Sequence, residues 1–155
     1  MCIKNRHLLQ HLSVFVALTL MLGCSWNAGP EILISEDGSP LEHLAAKELK
    51  RYIYLATGKK YTIQTFPKEA EAGRNDITIQ LNGQLEEQDF HILSTGQEGE
   101  EHIAIEGGSP VAILYAAYRL IEEFGVRFHI HGDLVPDLAS EVDLVTWFKG
   151  NLLGR

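Results

Sequence analysis

Residues 31–58 read EILISEDGSPLEHLAAKELKRYIYLATG, and this stretch decides the fold. Its first five residues are apolar at their centre and are bounded by Pro30 and Gly38. A short apolar run between such chain-breaking residues is typical of a buried β-strand. We therefore predict a strand over residues 31–35, followed directly by a helix.

The start and the end of that helix can be located in the sequence. Ser39 can accept a hydrogen bond from a free N–H of the first turn, Pro40 suits the first helical position, and Glu42 completes a capping box. Gly58 can end the helix in a left-handed conformation. Between these limits, apolar residues recur at helical spacing and predict one buried stripe: Leu41, Leu44, Ala45, Leu49, Tyr52, Ile53 and Ala56.

The remaining sequence predicts a second helix and five further strands. Ser109 caps this helix, Pro110 occupies its first position, and Gly125 ends it. Its buried face is predicted to consist of Ile113, Leu114, Ala117, Leu120, Ile121 and Phe124. The predicted strands are residues 61–66, 76–81, 90–94, 102–106 and 126–130.

The element order β-α-β-β-β-β-α-β predicts an α+β fold. Two amphipathic helices need an apolar surface to cover, and a sheet with one apolar face supplies it. We expect a two-layer sandwich in which both helices cover one face of a mostly antiparallel sheet. This domain spans residues 31–137, after a short linker over 24–30, and residues 138–155 are expected to form an irregular tail.

The first 23 residues resemble a lipoprotein signal peptide. A basic head with Lys4 and Arg6 precedes the apolar run VFVALTLML over residues 14–22. That run is shorter than the roughly 20 residues needed to span a bilayer. Gly23 and Cys24 follow it as in a lipobox, so Cys24 is the predicted lipidation site of an exported, membrane-anchored protein, periplasmic or on the cell surface. A plain secretory signal and an uncleaved anchor are the alternatives.

Charge and cysteine content exclude several partners. Without Lys4 and Arg6, 11 basic residues face 21 acidic ones, a net charge of −10 for the chain from Cys24 onward. Nucleic acids and anionic membranes need clustered Lys and Arg. We expect no nucleic-acid partner, and membrane contact only through the lipid anchor. With Cys24 as the one cysteine after the leader, no thiolate metal cluster is expected.

Two segments resemble a known domain, residues 38–55 and residues 105–137. The second is the more specific, with Gly107-Gly108, Tyr115-Ala116, Tyr118, Leu120-Ile121-Glu122 and Gly125-Val126-Arg127-Phe128. Together they resemble the N-terminal domain of bacterial α-glucuronidase-type and β-hexosaminidase-type glycoside hydrolases, the hexosaminidase domain 2-like domain.

The resemblance implies a non-catalytic accessory role. In that family the domain packs against a (β/α)₈ barrel that carries the catalytic carboxylates. Such a barrel needs about 250 residues, and 18 residues follow Asp137. We therefore expect the N-terminal accessory domain of a secreted glycoside hydrolase, present without its barrel, to be non-catalytic by itself. A standalone glycan-binding surface lipoprotein and a nonfunctional truncation are the alternatives.

The resemblance also places four candidate residues at the exit toward the barrel: Arg127, His129, His131 and Asp133. They are predicted to contact either the next domain or a glycan. The alternation of His129 and His131 along the predicted last strand could also give a metal two imidazoles if Asp133 or His91 approached. No metal and no cofactor is expected, because that pair lacks a fixed third ligand.

Three other patterns can be explained either by a structural role or by a function. Glu122 and Glu123 are adjacent on a helix and point about 100° apart, which suits a solvated face better than catalysis. The glycines at residues 107–108 are better explained by close turn packing than by phosphate binding, because Pro110 lacks an N–H. Trp147 and Phe148 are either a sugar-stacking platform or part of a domain junction.

Overall fold

The computed structural model describes residues 29–66, 72–73, 75–96, 101–138, 144–148 and 151–154. The predicted signal peptide and Cys24 lie outside these residues. No helix within the described ranges is both long enough and apolar enough to cross a membrane. The helices are α1 (Pro40–Thr57), α2 (Pro110–Glu123) and α3 (Leu144–Trp147). The strands are β1 (Glu31–Ser35), β2 (Thr62–Phe66), β3 (Ile77–Leu81), β4 (Phe90–Thr95), β5 (His102–Gly107) and β6 (Asn151–Gly154).

The fold class is α+β, as predicted, but the sheet is mixed rather than mostly antiparallel. Its strand order is β2-β1-β3-β5-β4-β6. The strands β2, β1, β3 and β5 are parallel neighbours, while β4 is antiparallel to both β5 and β6. Helix α1 connects β1 to β2. It returns the chain to the end of the sheet at which β1 starts, so the two strands run in the same direction.

Helices α1 and α2 cover one face of the sheet and pack against each other. Alternate residues of the central strands point into this layer, and Ile32, Ile77 and Ile103 are fully buried there. The helices contribute Leu49 and Ile121, also fully buried. Most residues of the two predicted amphipathic faces therefore lie in one common core.

Local hydrogen bonds define the helix starts as predicted. The Ser39 side chain accepts from the Glu42 N–H at 3.3 Å, and the Glu42 carboxylate accepts from the Ser39 N–H at 2.8 Å. Ser109 accepts from the Ala112 N–H at 3.2 Å in the same way. Gly58 adopts a left-handed φ of 71° and donates to the Tyr54 carbonyl, which ends α1.

The last strand is not where the sequence predicted it. Residues 126–130 form no strand, and Arg127 makes only an isolated antiparallel bridge with Leu134. The place beside β4 belongs to β6, from the tail that was expected to be irregular. There the ring of Phe90 lies over Gly154, at a position where any side chain would collide with it. The tail also adds α3, whose Leu144 and Val145 are buried.

Candidate functional site

A tight loop over residues 127–134 projects from the domain directly after α2, and we call it the exit loop. Its two ends are joined by backbone hydrogen bonds between Arg127 and Leu134, each 2.9 Å long. At its tip the Gly132 N–H donates to the His129 carbonyl at 3.1 Å, and Gly132 has a φ of 128° that favours glycine. The exit loop is therefore a closed turn with a defined backbone.

Aromatic packing fixes the exit loop on the helices. The ring of Phe128 lies between Tyr52 of α1 and Tyr118 of α2, with centroids 5.4 and 5.2 Å away and rings nearly perpendicular. Edge-to-face pairs of this kind are favourable beyond the area that they bury. Just past the loop, the Leu138 N–H donates to the Ala56 carbonyl of α1 at 2.7 Å.

Two tyrosine hydroxyls add polar contacts to this packing. Tyr52 donates to the Asp133 carboxylate, which ties the far side of the exit loop to α1. Burial, and next the hydrogen bond with Asp133, raise the pKa of Tyr52 to about 12. Tyr118 donates to Glu48 at 3.4 Å, and burial followed by the negative charge of Glu48 raises the pKa of Tyr118.

These contacts predict an alkaline loss of stability. Because the folded state favours the neutral phenol, the contribution of Tyr52 is complete below its ordinary pKa of 10.0 and is lost as the pH rises through about 12. The urea midpoint of the wild type is expected to fall across this window. Tyr52→Phe keeps the ring against Phe128, so it should cost about 1 kcal/mol at neutral pH and show a smaller alkaline fall. The same midpoint for both proteins at neutral pH would contradict the tie to Asp133.

The four predicted site residues fall into two groups, one bonded within the domain and one exposed. Arg127 donates to the carbonyls of Glu122 and Val126, both at 2.8 Å, and Asp133 binds Tyr52. Both therefore support the exit loop itself. His129 and His131 are exposed at its tip.

The arrangement does not support the histidine pair as a metal site. His129 and His131 lie in a turn and not on one face of a strand. His91 lies on β4, where its register partners are Glu106 and Leu153. Across the residues with described positions, no group of three His, Cys, Asp or Glu could hold a metal ion.

Sequence reasoning missed the most exposed large hydrophobic residue among those that the structure describes. Ile130, at the tip of the exit loop, is 99% exposed, and Leu134 at its base is 64% exposed. The interpretation of residues 126–130 as a strand treated Ile130 as part of the sheet. The one local signal for a turn is Gly132, two residues later.

The outward side of the helix layer carries further apolar side chains. Leu44 of α1, predicted to be buried, is exposed, as are Val111 and Tyr115 of α2. Glu48 of α1 and Tyr118 of α2 are in contact where the two helices pack against each other. Leu44 precedes Glu48 by about one helical turn, and Tyr115 precedes Tyr118 by about one turn. We call these three exposed side chains, together with Ile130 and Leu134 of the exit loop, the apolar outer surface.

The opposite face of the sheet carries a polar cluster. The Glu106 carboxylate of β5 accepts from the Gln80 amide at 2.9 Å and from the Asn82 amide at 2.8 Å. His91 is the register partner of Glu106 on β4. Carboxylate, amide and imidazole groups are all suited to hydrogen bonds with hydroxyls.

The remaining candidate patterns have structural roles. Glu122 and Glu123 form ion pairs with Arg119, at 3.3 and 2.6 Å, on a solvated helix face as predicted. Phe148 is buried in the core and Trp147 packs on Phe124, with ring centroids 5.5 Å apart. Both rings therefore contribute to packing within this domain, while Trp147 is still 48% exposed, so its role in a junction or a sugar platform stays a prediction.

The predicted close packing of Gly107 and Gly108 is confirmed. A side chain at Gly107 would meet the Ile113 backbone nitrogen at 2.8 Å. One at Gly108 would overlap the Glu86 carbonyl oxygen.

The solved structures that are similar to this chain include two glycoside hydrolases. One is a GH138 enzyme targeting pectin rhamnogalacturonan II, with 16% identity, a TM-score of 0.46, and coverage of 61% of this chain and 9% of that one. The other is a GH115 4-O-methyl-α-glucuronidase with specificity for decorated arabinogalactans, with 15% identity, a TM-score of 0.47, and coverage of 64% of this chain and 14% of that one. This chain therefore spans a small part of either enzyme. No protein-family model and no curated protein sequence matches it.

Proposed function

We propose that this chain is the non-catalytic N-terminal accessory domain of a secreted glycoside hydrolase and that its partner is the catalytic (β/α)₈ barrel of that enzyme. The glycoside hydrolase assignment is supported by the resemblance of residues 38–55 and 105–137. The accessory role is supported by the apolar outer surface.

The apolar outer surface is the single observation that carries the proposal. A helix layer that faces water needs a polar exterior, and clustered exposed apolar side chains mark interaction sites. Here Leu44, Val111 and Tyr115 of the helices and Ile130 and Leu134 of the exit loop are exposed. Burial against a second domain would remove these side chains from water.

The acidic side chains of the domain support a structural role. Glycoside hydrolysis usually needs two carboxylates roughly 5 to 10 Å apart across a sugar. Glu122 and Glu123 pair with Arg119, while Asp133 and Glu106 accept from neighbouring side chains. Each of these carboxylates is therefore bound to a neighbouring side chain of the domain.

Export belongs to the same proposal. We propose cleavage before Cys24 and lipidation of its thiol, which would hold the domain at a membrane surface in the periplasm or outside the cell. Labelling with a fatty acid in a bacterial host should mark the wild type and fail to mark Cys24→Ser. Equal labelling of both proteins would contradict this site.

The partner is tested by combining this chain with a barrel. A (β/α)₈ domain encoded beside this chain in its genome is expressed separately and mixed with the purified chain. We expect the two to form a complex on gel filtration and the chain alone to hydrolyse no glycan. Absence of any such reading frame, or a pure chain that cleaves sugars, would overturn the proposal.

A standalone glycan-binding lipoprotein is the second candidate, and the polar cluster around Glu106 favours it. A sugar could exchange hydrogen bonds with the Glu106 carboxylate and the amides of Gln80 and Asn82. A glycan array probed with residues 24–155 tests this function, with Glu106→Ala as the variant and Glu122→Ala as its matched control. Binding lost only in Glu106→Ala supports it, and no binding at millimolar sugar removes it.

A further inference from the structure

We infer that Asn82-Gly83 is a latent deamidation site of this chain and that the Glu106 carboxylate protects it by holding the Asn82 amide. Deamidation is the spontaneous loss of ammonia from an asparagine side chain after attack by the next backbone nitrogen. The inference goes beyond the proposed function, because it concerns a reaction of the chain with itself and with water.

The dipeptide itself is the first reason. Asn82 is the only asparagine of the sequence that is followed by glycine. Glycine has no Cβ, so it leaves its backbone nitrogen open to the preceding side chain and lets the backbone turn toward it. Gly83 is exposed, and a Cβ added there would meet no atom within 4 Å. This dipeptide should therefore be the most reactive asparagine position of the chain whenever it is free to move.

Two bonds are exchanged at Cγ of Asn82 in this reaction. The Gly83 backbone nitrogen gives up its proton and bonds to Cγ, which becomes tetrahedral. The bond from Cγ to Nδ2 then breaks, and Nδ2 takes up a proton and leaves as ammonia. Water opens the remaining succinimide ring at one of its two carbon–nitrogen bonds. The product at position 82 is aspartate or isoaspartate.

Hydrogen bonds hold every polar group of Asn82 in the folded domain. Its Nδ2 donates to the Glu106 carboxylate at 2.8 Å, and its Oδ1 accepts from the Gln84 N–H at 3.0 Å. Its backbone N–H donates to the Gly107 carbonyl at 2.9 Å, and its carbonyl accepts from the Leu85 N–H at 3.1 Å. A tetrahedral Cγ moves Nδ2 and Oδ1 away from these partners, so the folded turn opposes the attack.

The charge of Glu106 acts in the same direction. The attacking nitrogen and the tetrahedral intermediate are both negatively charged, and a neighbouring carboxylate disfavours both. An ionised carboxylate also has no proton to give to the departing nitrogen. The folded domain should therefore react more slowly at Asn82 than the unfolded chain does.

The test measures deamidation at Asn82 in the purified full chain by peptide mapping with mass spectrometry, at constant pH and temperature. Glu106→Ala removes the carboxylate, and the loss of a hydrogen bond to a charged group should raise the rate at Asn82 about tenfold or more.

Ser39→Ala is the matched control for stability. It weakens the cap of α1 and leaves the turn at Asn82 intact, so its rate should stay within about twofold of the wild type. In urea that unfolds all three proteins the rates should be equal, because Asn82 and Glu106 are 24 positions apart in the sequence.

The other outcomes overturn the inference. Equal rates in the folded wild type and in Glu106→Ala would show that the carboxylate protects nothing. An acceleration in Ser39→Ala as large as that in Glu106→Ala would show that global unfolding controls the reaction. A difference between the wild type and Glu106→Ala that persists in urea would place its cause outside the fold. Each of these results leaves the proposed barrel partner to its own test.

Discussion

Leu49→Asp is expected to abolish the cooperative unfolding transition of this domain. Leu49 is fully buried where α1 meets the sheet. An unpaired carboxylate there costs several kcal/mol, which is a large part of the roughly 5–15 kcal/mol that holds a typical domain together. Ile121→Asp should have the same effect from α2, because Ile121 is also fully buried.

The matched control lies on the same helix. Leu55 of α1 is half exposed, so Leu55→Asp should unfold cooperatively with a midpoint close to that of the wild type. Circular dichroism during a urea titration distinguishes the three proteins. A sharp transition in Leu49→Asp would mean that the buried side of α1 has been assigned incorrectly.

Gly108→Ala is expected to destabilise the domain by about 3 kcal/mol or more, at the upper end of the usual cost of overpacking. The added methyl group would overlap the Glu86 carbonyl oxygen and lie 2.9 Å from the Leu85 oxygen. These are backbone atoms, so relief requires the loop before β4 to move, together with the hydrogen bond from Gly108 to the Asp89 carbonyl.

Gly83→Ala provides the control for this substitution. A methyl group at Gly83 would meet no atom within 4 Å, so its effect on the free energy of unfolding should stay within about 0.5 kcal/mol. The denaturant midpoints of Gly108→Ala and Gly83→Ala test this prediction. Equal midpoints would show that residues 85–86 can move away at little cost.

The helices could be predicted from the sequence because their limits are set locally. Ser39, Glu42 and Gly58 lie within or next to the element that they cap, and their hydrogen bonds are those that the spacing predicted. Five of the predicted strands are also confirmed within one residue of their ends, because apolar alternation is local as well.

Strand orientation and the last strand depend on contacts between distant parts of the chain. Alternation shows which side of a strand is buried but does not show the direction of its neighbour, so the parallel pairs were missed. The true partner of β4 comes from the tail, over residues 151–154. The sequence of the tail contains no strong local pattern that predicts a strand. Residues 151–154 form a strand because they pair with the free edge of β4.

The predicted interface or glycan role of the candidate residues stays a prediction, but their contacts within the domain can now be described. The resemblance pointed to Arg127, His129, His131 and Asp133. Exposure is a tertiary property, so the sequence could not show that Arg127 and Asp133 bond within the domain while Ile130 is left in water.

The pairing of β4 with β6 imposes an order of events on biosynthesis. While the nascent chain is still being elongated, β4 can join β5, but its other edge has no partner until residue 154 has left the ribosome. An unpaired edge can recruit strands from other molecules. Slow translation of the residues between β4 and β6 should therefore favour aggregation. A chaperone that covers the free edge of β4 should suppress it.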